Sequence, residues 1–176
     1  MRKSFGISYL LILSAAAAGL SLAQTPAAAP VKHYKADFVV KEVDATSHVI
    51  NSRSFSTVLA TTNEGAPNEI RSGDKFPIHT STNQKGDDLQ YIDVGVNIDC
   101  QHVREIDQKL ALSIRAEVSS IPAETDLKSA LDPIIRQFKW NADVLISPGV
   151  PTTIFSSDDM SSKTKMQLEV TATLIK

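Results

Sequence analysis

YIDVGVNIDC, Tyr91 to Cys100, alternates polar and apolar residues without a break and carries one glycine near its middle. Ile92, Val94, Val96, Ile98 and Cys100 fall on one face, and Tyr91, Asp93, Gly95, Asn97 and Asp99 on the other. That is the period-two pattern of a half-buried strand. Gly95 marks a bulge or a close approach of another backbone. The stretch predicts a sheet, and the rest of the chain supplies strands for it.

Upstream, His33 to Val43 and His48 to Ala60 are rich in Val, Phe, Tyr and Thr and flank the polar segment Asp44 to Ser47, which predicts an antiparallel hairpin. Tyr34, Ala36, Phe38 and Val40 take its inner face. Thr61 to Asp74 holds three turn signals, Asn63-Glu64-Gly65, Pro67-Asn68 and Ser72-Gly73-Asp74, around a short strand Glu69-Ile70-Arg71. Pro77 places Lys75 to Thr80 at a sheet edge or a strand end, and Ser81 to Leu89 is an exposed connection.

Downstream, Gln101 to Gln108 is polar and Lys109 to Ile121 alternates again, with Leu110, Leu112, Ile114, Ala116 and Val118 inward. A strand that long should bend or bulge. Thr125 to Leu131 can form one short helical turn, stopped by Asp132-Pro133. Gln137 to Ile146 puts Phe138, Trp140, Ala142, Val144 and Ile146 inward, and Ser147-Pro148-Gly149 turns the chain. Thr152 to Phe155 is a short strand, Ser156 to Thr164 a polar loop, and Met166 to Ile175 a last strand with Met166, Leu168, Val170, Ala172 and Leu174 inward. The fold class is all-β, an antiparallel sandwich or curved sheet with at most one short helix.

Arg2 and Lys3, the apolar run from Ile7 and the small residues of Ser21-Leu22-Ala23 read as an export signal, with cleavage expected between Ala23 and Gln24. No cysteine follows that site, so a lipid anchor is not expected. Thr25 to Pro30 is a flexible lead-in, and residues 31–176 form a single domain of roughly 145 residues. The mature chain keeps 16 basic against 20 acidic residues, a net charge of −4. No basic stripe or polybasic patch stands out, so neither nucleic acid nor an anionic membrane surface is an expected partner.

Cys100 is the only cysteine, so no intramolecular disulfide can form. Its place on the apolar face predicts a buried, inert thiol, and a surface thiol joining two chains is the alternative. His33, His48, His79 and His102 have no His or Cys neighbour at metal spacing, and Asp87-Asp88 and Asp158-Asp159 lack the context of a calcium loop. No nucleophile elbow, triad signature or phosphate loop occurs. No catalytic residue, cofactor or metal is expected. Phe138 and Trp140 share an inward face and suit a core better than, with Tyr91, a carbohydrate platform.

Taken in order, these segments resemble the C-terminal core of the secretins, the outer-membrane ring pores of bacterial type II and type III secretion systems and type IV pili. The resemblance is carried by LATTNEGAPNEIRSGDKFPI (Leu59 to Ile78), YIDVGVNID (Tyr91 to Asp99), LALSIRAEVSSI (Leu110 to Ile121), DPIIRQ (Asp132 to Gln137) and LISPGVPTTIF (Leu145 to Phe155). It matches Gly73, Pro77, Tyr91, Asp93, Gly95, Pro133, Arg136 and Gly149 to family positions and covers residues 59–176. Arg136, beside Asp132-Pro133, is either an ion-paired corner or part of a subunit contact.

The chain departs from the family at Ser156-Ser157-Asp158, where secretins carry Gly-Gly-Leu, and at Ser81 to Gln90, where they insert gate strands. It reads as a truncated core without the gate or the ring-building periplasmic domains. A membrane-spanning strand needs an apolar lipid face, whereas Arg115, Glu117, Asn141, Asp143, Gln167 and Glu169 point away from the core. The resemblance therefore implies a non-enzymatic periplasmic or cell-envelope protein that acts through contacts with itself or with secretion or pilus components. A miniature outer-membrane pore subunit and a secreted ligand-binding sandwich or enzyme are the alternatives.

Overall fold

The computed structural model describes residues 30–62, 67–80, 88–121, 134–160 and 162–176. Eight strands follow in order: β1 (His33–Val43), β2 (Val49–Ala60), β3 (Asn68–Thr80), β4 (Asp88–Ile106), β5 (Lys109–Ser120), β6 (Arg136–Ile146), β7 (Thr152–Asp158) and β8 (Lys165–Leu174). They make two four-stranded sheets, β2-β1-β8-β7 and β3-β4-β5-β6, in which every pairing is antiparallel. There is no helix among the described residues, and the helical turn expected at 125–131 lies outside them.

The sheets form because alternation gives each strand one apolar face, and two such faces can be buried only against each other. Sheet one contributes Tyr34, Ala36, Phe38, Val40, Leu59, Leu168, Val170 and Ala172 to the core. Sheet two contributes Val96, Ile98, Cys100, Leu110, Leu112, Ile114, Ala116, Val118 and Ile146. β3 to β6 are a meander of neighbours in sequence. Sheet one instead closes by bringing the last strand beside the first: Tyr34 pairs with Leu174, and the Ile175 amide donates to the His33 carbonyl at 2.9 Å.

The turns follow local chemistry. Asp44 Oδ1 accepts from the amides of Thr46 and His48 at 2.8 and 3.0 Å and holds the β1–β2 hairpin. Asp107 and Gln108, with φ of 48° and 62°, make the tight β4–β5 turn, a conformation that usually recruits Asn-Gly or Asp-Gly. Gly149, with φ of 79°, carries the chain from sheet two to sheet one, and its amide donates to the Ala172 carbonyl at 2.7 Å.

Four expectations are corrected. Ser72-Gly73-Asp74 is not a turn: β3 runs straight through it, with Gly73 opposite Gly95. The bend expected in the Lys109 strand sits instead on its partner, where β4 slips register between Gln101 and Arg104 and His102 takes φ of 53°. That extra residue lets Val103 return to the core. β7 extends to Asp158, because Ser156, Ser157 and Asp158 pair with Gln167, Met166 and Lys165. Leu174, expected inward, is 42% exposed at the end of β8.

Cys100 is 1% exposed, which excludes the surface-thiol alternative. Burial, with a smaller contribution from the Asp99 carboxylate, pushes its thiol pKa up to about 12. Only the thiolate is a good nucleophile. The native protein is therefore expected to resist iodoacetamide at pH 8 and to react once urea unfolds it, with the mass increment as readout.

Two ties cross between the sheets. Trp140 of β6 stacks on Phe155 of β7, centroids 3.9 Å apart and planes within 2°. At another point Glu105 of β4 accepts from Lys32 Nζ at 2.7 Å and from the Tyr34 hydroxyl at 2.9 Å. The Lys32 and Tyr34 bonds hold the Glu105 carboxyl below its ordinary range, and burial followed by the Glu105 bond pushes the Tyr34 hydroxyl up. A depressed carboxyl stabilises the fold above its unfolded pKa, and that stabilisation is lost as pH falls through the folded value. Glu105→Gln is thus expected to flatten the acid limb of a melting-temperature profile.

Candidate functional site

The outward face of sheet two is a curved, polar trough laid out by register. Glu69, Asp99, Arg115 and Asn141 stand in one row across the four strands, and Arg71, Asn97, Glu117 and Lys139 in the next. Gly73 opposes Gly95 beyond them, and Lys75 opposes Asp93. On the other side, Gln101, Ser113 and Asp143 make a further row.

A concavity of about 620 Å³ is lined by Arg71, Asn97, Asp99, Arg115, Glu117 and Asn141 among others. One of about 360 Å³ continues it toward Gly73, Gly95 and Asp93, and one of about 230 Å³ continues it toward His102, Ser113 and Asp143. Neighbouring concavities share residues, Arg71 and Asn97 on one side and Asp99, Arg115 and Asn141 on the other, so the trough is continuous.

Most of its charges are paired. Arg71 Nη1 lies 2.6 Å from Asp99 Oδ1 and its Nη2 3.4 Å from Glu69; the Asp99 bond, opposed by burial, pushes the guanidinium pKa up. Lys139 meets Glu117 at 3.2 Å, and Gln137 Nε2 donates to the other oxygen of that carboxylate. Lys75 lies 3.6 Å from Asp93. Arg115 has no side-chain partner among the described residues.

His102, Ser113 and Asp143 meet at the small end, though far apart in sequence. Ser113 Oγ donates to Asp143 Oδ1 at 2.5 Å, and His102 Nδ1 is 3.4 Å from the same Oγ. In a hydrolytic triad the histidine stands between serine and acid, so that the imidazolium is stabilised as it takes the proton. Here the serine stands in the middle. The order does not build an activated nucleophile. Among the described residues no three His, Cys, Asp or Glu side chains are placed to hold a metal ion.

Of the residues singled out in the sequence, Gly73, Pro77, Tyr91, Asp93 and Gly95 come together on the β3–β4 ribbon, with Pro77 opposite Tyr91. β3 is a sheet edge, where a missing N–H is tolerated. Tyr91 is 61% exposed. Gly95 donates its amide to Ser119 Oγ at 2.9 Å. Arg136, on β6, pairs with Asp159, just after β7, at 3.5 Å. Gly149 makes the crossing between sheets, while Ala23, Gln24 and Pro133 lie outside the described residues. Sequence reasoning missed the trough, since Arg71, Asn97, Asp99 and Asn141 gain meaning only once four registers are known.

No protein-family model matches this sequence, and the search of curated proteins returned no match. Solved structures do match. The Salmonella SPI-1 type III secretion injectisome secretin InvG aligns with a TM-score of 0.50 at 8% identity, over 83% of this chain and 64% of that one. InvG in the Salmonella injectisome basal body with PrgH and PrgK aligns with the same TM-score and identity, over 83% of this chain and 45% of that one. The fold is that of a secretin core. The secretin-like chain spans less than two thirds of the length of the InvG chains it matches. At 8% identity the likeness concerns the secretin-like backbone, and the trough belongs to this chain's own side chains.

Proposed function

We propose that this is an exported cell-envelope protein whose secretin-like domain acts without catalysis, through contacts with other envelope proteins and with further copies of itself. The observation that carries the reading is the pair of open flanks. The sheet orders leave β2 and β7 as the edges of one sheet and β3 and β6 as the edges of the other. Among the described residues these edges have no further strand beside them, and such edges are templates for strand addition. Beside the β6 and β7 edges Trp140 and Phe155 are half-buried, and Leu145, Val150 and Met160 are exposed, which gives that flank an apolar lip.

The envelope setting is supported by the leader-like Arg2 to Ala23 stretch and by the secretin-like fold. Charge on the outward faces favours contact with water or protein over lipid: Lys41 pairs with Glu169 at 3.0 Å and Lys35 with Asp37 at 2.8 Å on sheet one, and sheet two carries the trough.

Trp140 is the only tryptophan, so its emission reports on the β6–β7 flank. Native mass measurement of the mature protein is expected to show oligomers that grow with concentration, accompanied by a blue shift of that emission. A monomeric mass at every concentration, with unchanged emission and no envelope protein recovered by crosslinking in cells, overturns the reading.

A further inference from the structure

Arg115 stands at the centre of the trough and lines both the 620 Å³ and the 230 Å³ concavity. The ladder places Asp99 on one side of it and Asn141 on the other, at the separation of direct cross-strand neighbours. Asp99 is committed to Arg71, and Glu117 to Lys139 and Gln137. The Arg115 guanidinium is thus left as a cation with open donors, and Asn97 and Asn141 beside it have no side-chain partner among the described residues. Asp143, one step along β6, receives only the Ser113 hydroxyl and retains acceptor capacity.

A guanidinium is a planar fork of donors that matches a carboxylate or sulfate in two parallel bonds. Amides and carboxylates around it supply donors and acceptors side by side, which is what a ring of hydroxyl groups requires, since each hydroxyl both donates and accepts. The trough is long, open and polar-walled. We propose that it binds an acidic saccharide, with the anionic group of one sugar on Arg115 and ring hydroxyls on Asn97, Asn141 and Asp143.

Competing ligands fit less well. A nucleic acid carries a phosphate on every unit and would run them past Asp93, Asp99, Glu117 and Asp143, whereas the trough, among the described residues, offers one open cation and suits a saccharide with a single anionic group. A peptide strand draws its affinity from backbone ladders, and the face of a sheet offers side chains only. An isolated phosphate uses Arg115 and leaves the amides idle.

Titration calorimetry on the mature protein, with a galacto-oligosaccharide carrying one terminal galacturonate, the same oligosaccharide carrying one sulfate instead, the neutral parent oligosaccharide and inorganic sulfate, tests the site. The acidic saccharides are expected to bind at least tenfold more tightly than the neutral one, and the better of the two identifies the anionic group. Arg115→Ala should lower that affinity at least tenfold, and Arg115→Lys should restore only part of it. Because Arg115 is exposed and unpaired, both variants should melt like the parent. Absence of binding by either acidic saccharide at millimolar concentration, unchanged affinity in Arg115→Ala, or inorganic sulfate binding as tightly as the saccharides overturns the proposal.

Discussion

Gly95→Ala is expected to lower the stability of the domain by about 3 kcal/mol or more, a substantial part of the stability of an ordinary domain. A Cβ on Gly95 would lie 2.2 Å from the Ser72 carbonyl oxygen and 2.5 Å from Gly73 Cα. Both are backbone atoms, so no rotamer change relieves the clash. The residue also holds φ of 154°, a conformation L side chains rarely adopt, and its amide is committed to Ser119 Oγ at 2.9 Å. Relief would require β3 and β4 to separate at the crossing. Gly73→Ala meets the same obstacle from the other strand, with Val94 O at 2.2 Å. Gly149 provides the control: its φ is 79°, yet a Cβ there has nothing within 4 Å, so Gly149→Ala should cost only the left-handed penalty of about 1–2 kcal/mol. Urea midpoints of the three variants check the order. Equal, small losses at Gly95 and Gly149 would show that the two strands are not in contact there.

The second large effect is expected from Phe38→Ala. Phe38 is 0% exposed and is among the largest fully buried side chains of the core. Its strand is flanked on both sides, by Phe55 of β2 and by Val170 of β8. Strands locked in a ladder on each side cannot close over a missing ring, so the cavity persists. Aromatic-to-alanine changes in cores cost about 3–5 kcal/mol, and a domain of this size then melts roughly 10 °C lower or more. Calorimetry on the variant checks this. A shift of only a degree or two would mean that the two sheets slide together to fill the space.

These expectations show what alternation in a sequence conveys. The inward sets on β1, β5 and β6 were legible because each strand has one wet face and one dry face, and Phe38, Ile114 and Trp140 all lie where that pattern puts them. Ser72-Gly73-Asp74 misled for a physical reason. A glycine between polar residues is a turn signal when the chain is considered alone, and a clearance for another backbone when the partner is Gly95. The β4–β5 turn was hidden because Asp107 and Gln108 adopt positive φ without the usual glycine. The trough was not legible at all. Arg71, Asn97, Glu117 and Lys139 are unremarkable surface residues along four separate strands, and a one-residue slip in any pairing would scatter them.

The pairing of β1 with β8 has a consequence for how the chain is made. Sheet two is assembled from strands that follow one another, so each hairpin can form as soon as its second arm exists. Sheet one stays divided until the last ten-residue strand reaches Val39 and Val40, where Glu169 and Leu168 pair. Until then the apolar face of β1 has no neighbour on one side, and a chain interrupted before Lys165 presents that gap to whatever strand is nearby. Completion of the domain is therefore gated by its final segment, and premature termination should be read out as aggregation rather than as a smaller folded product.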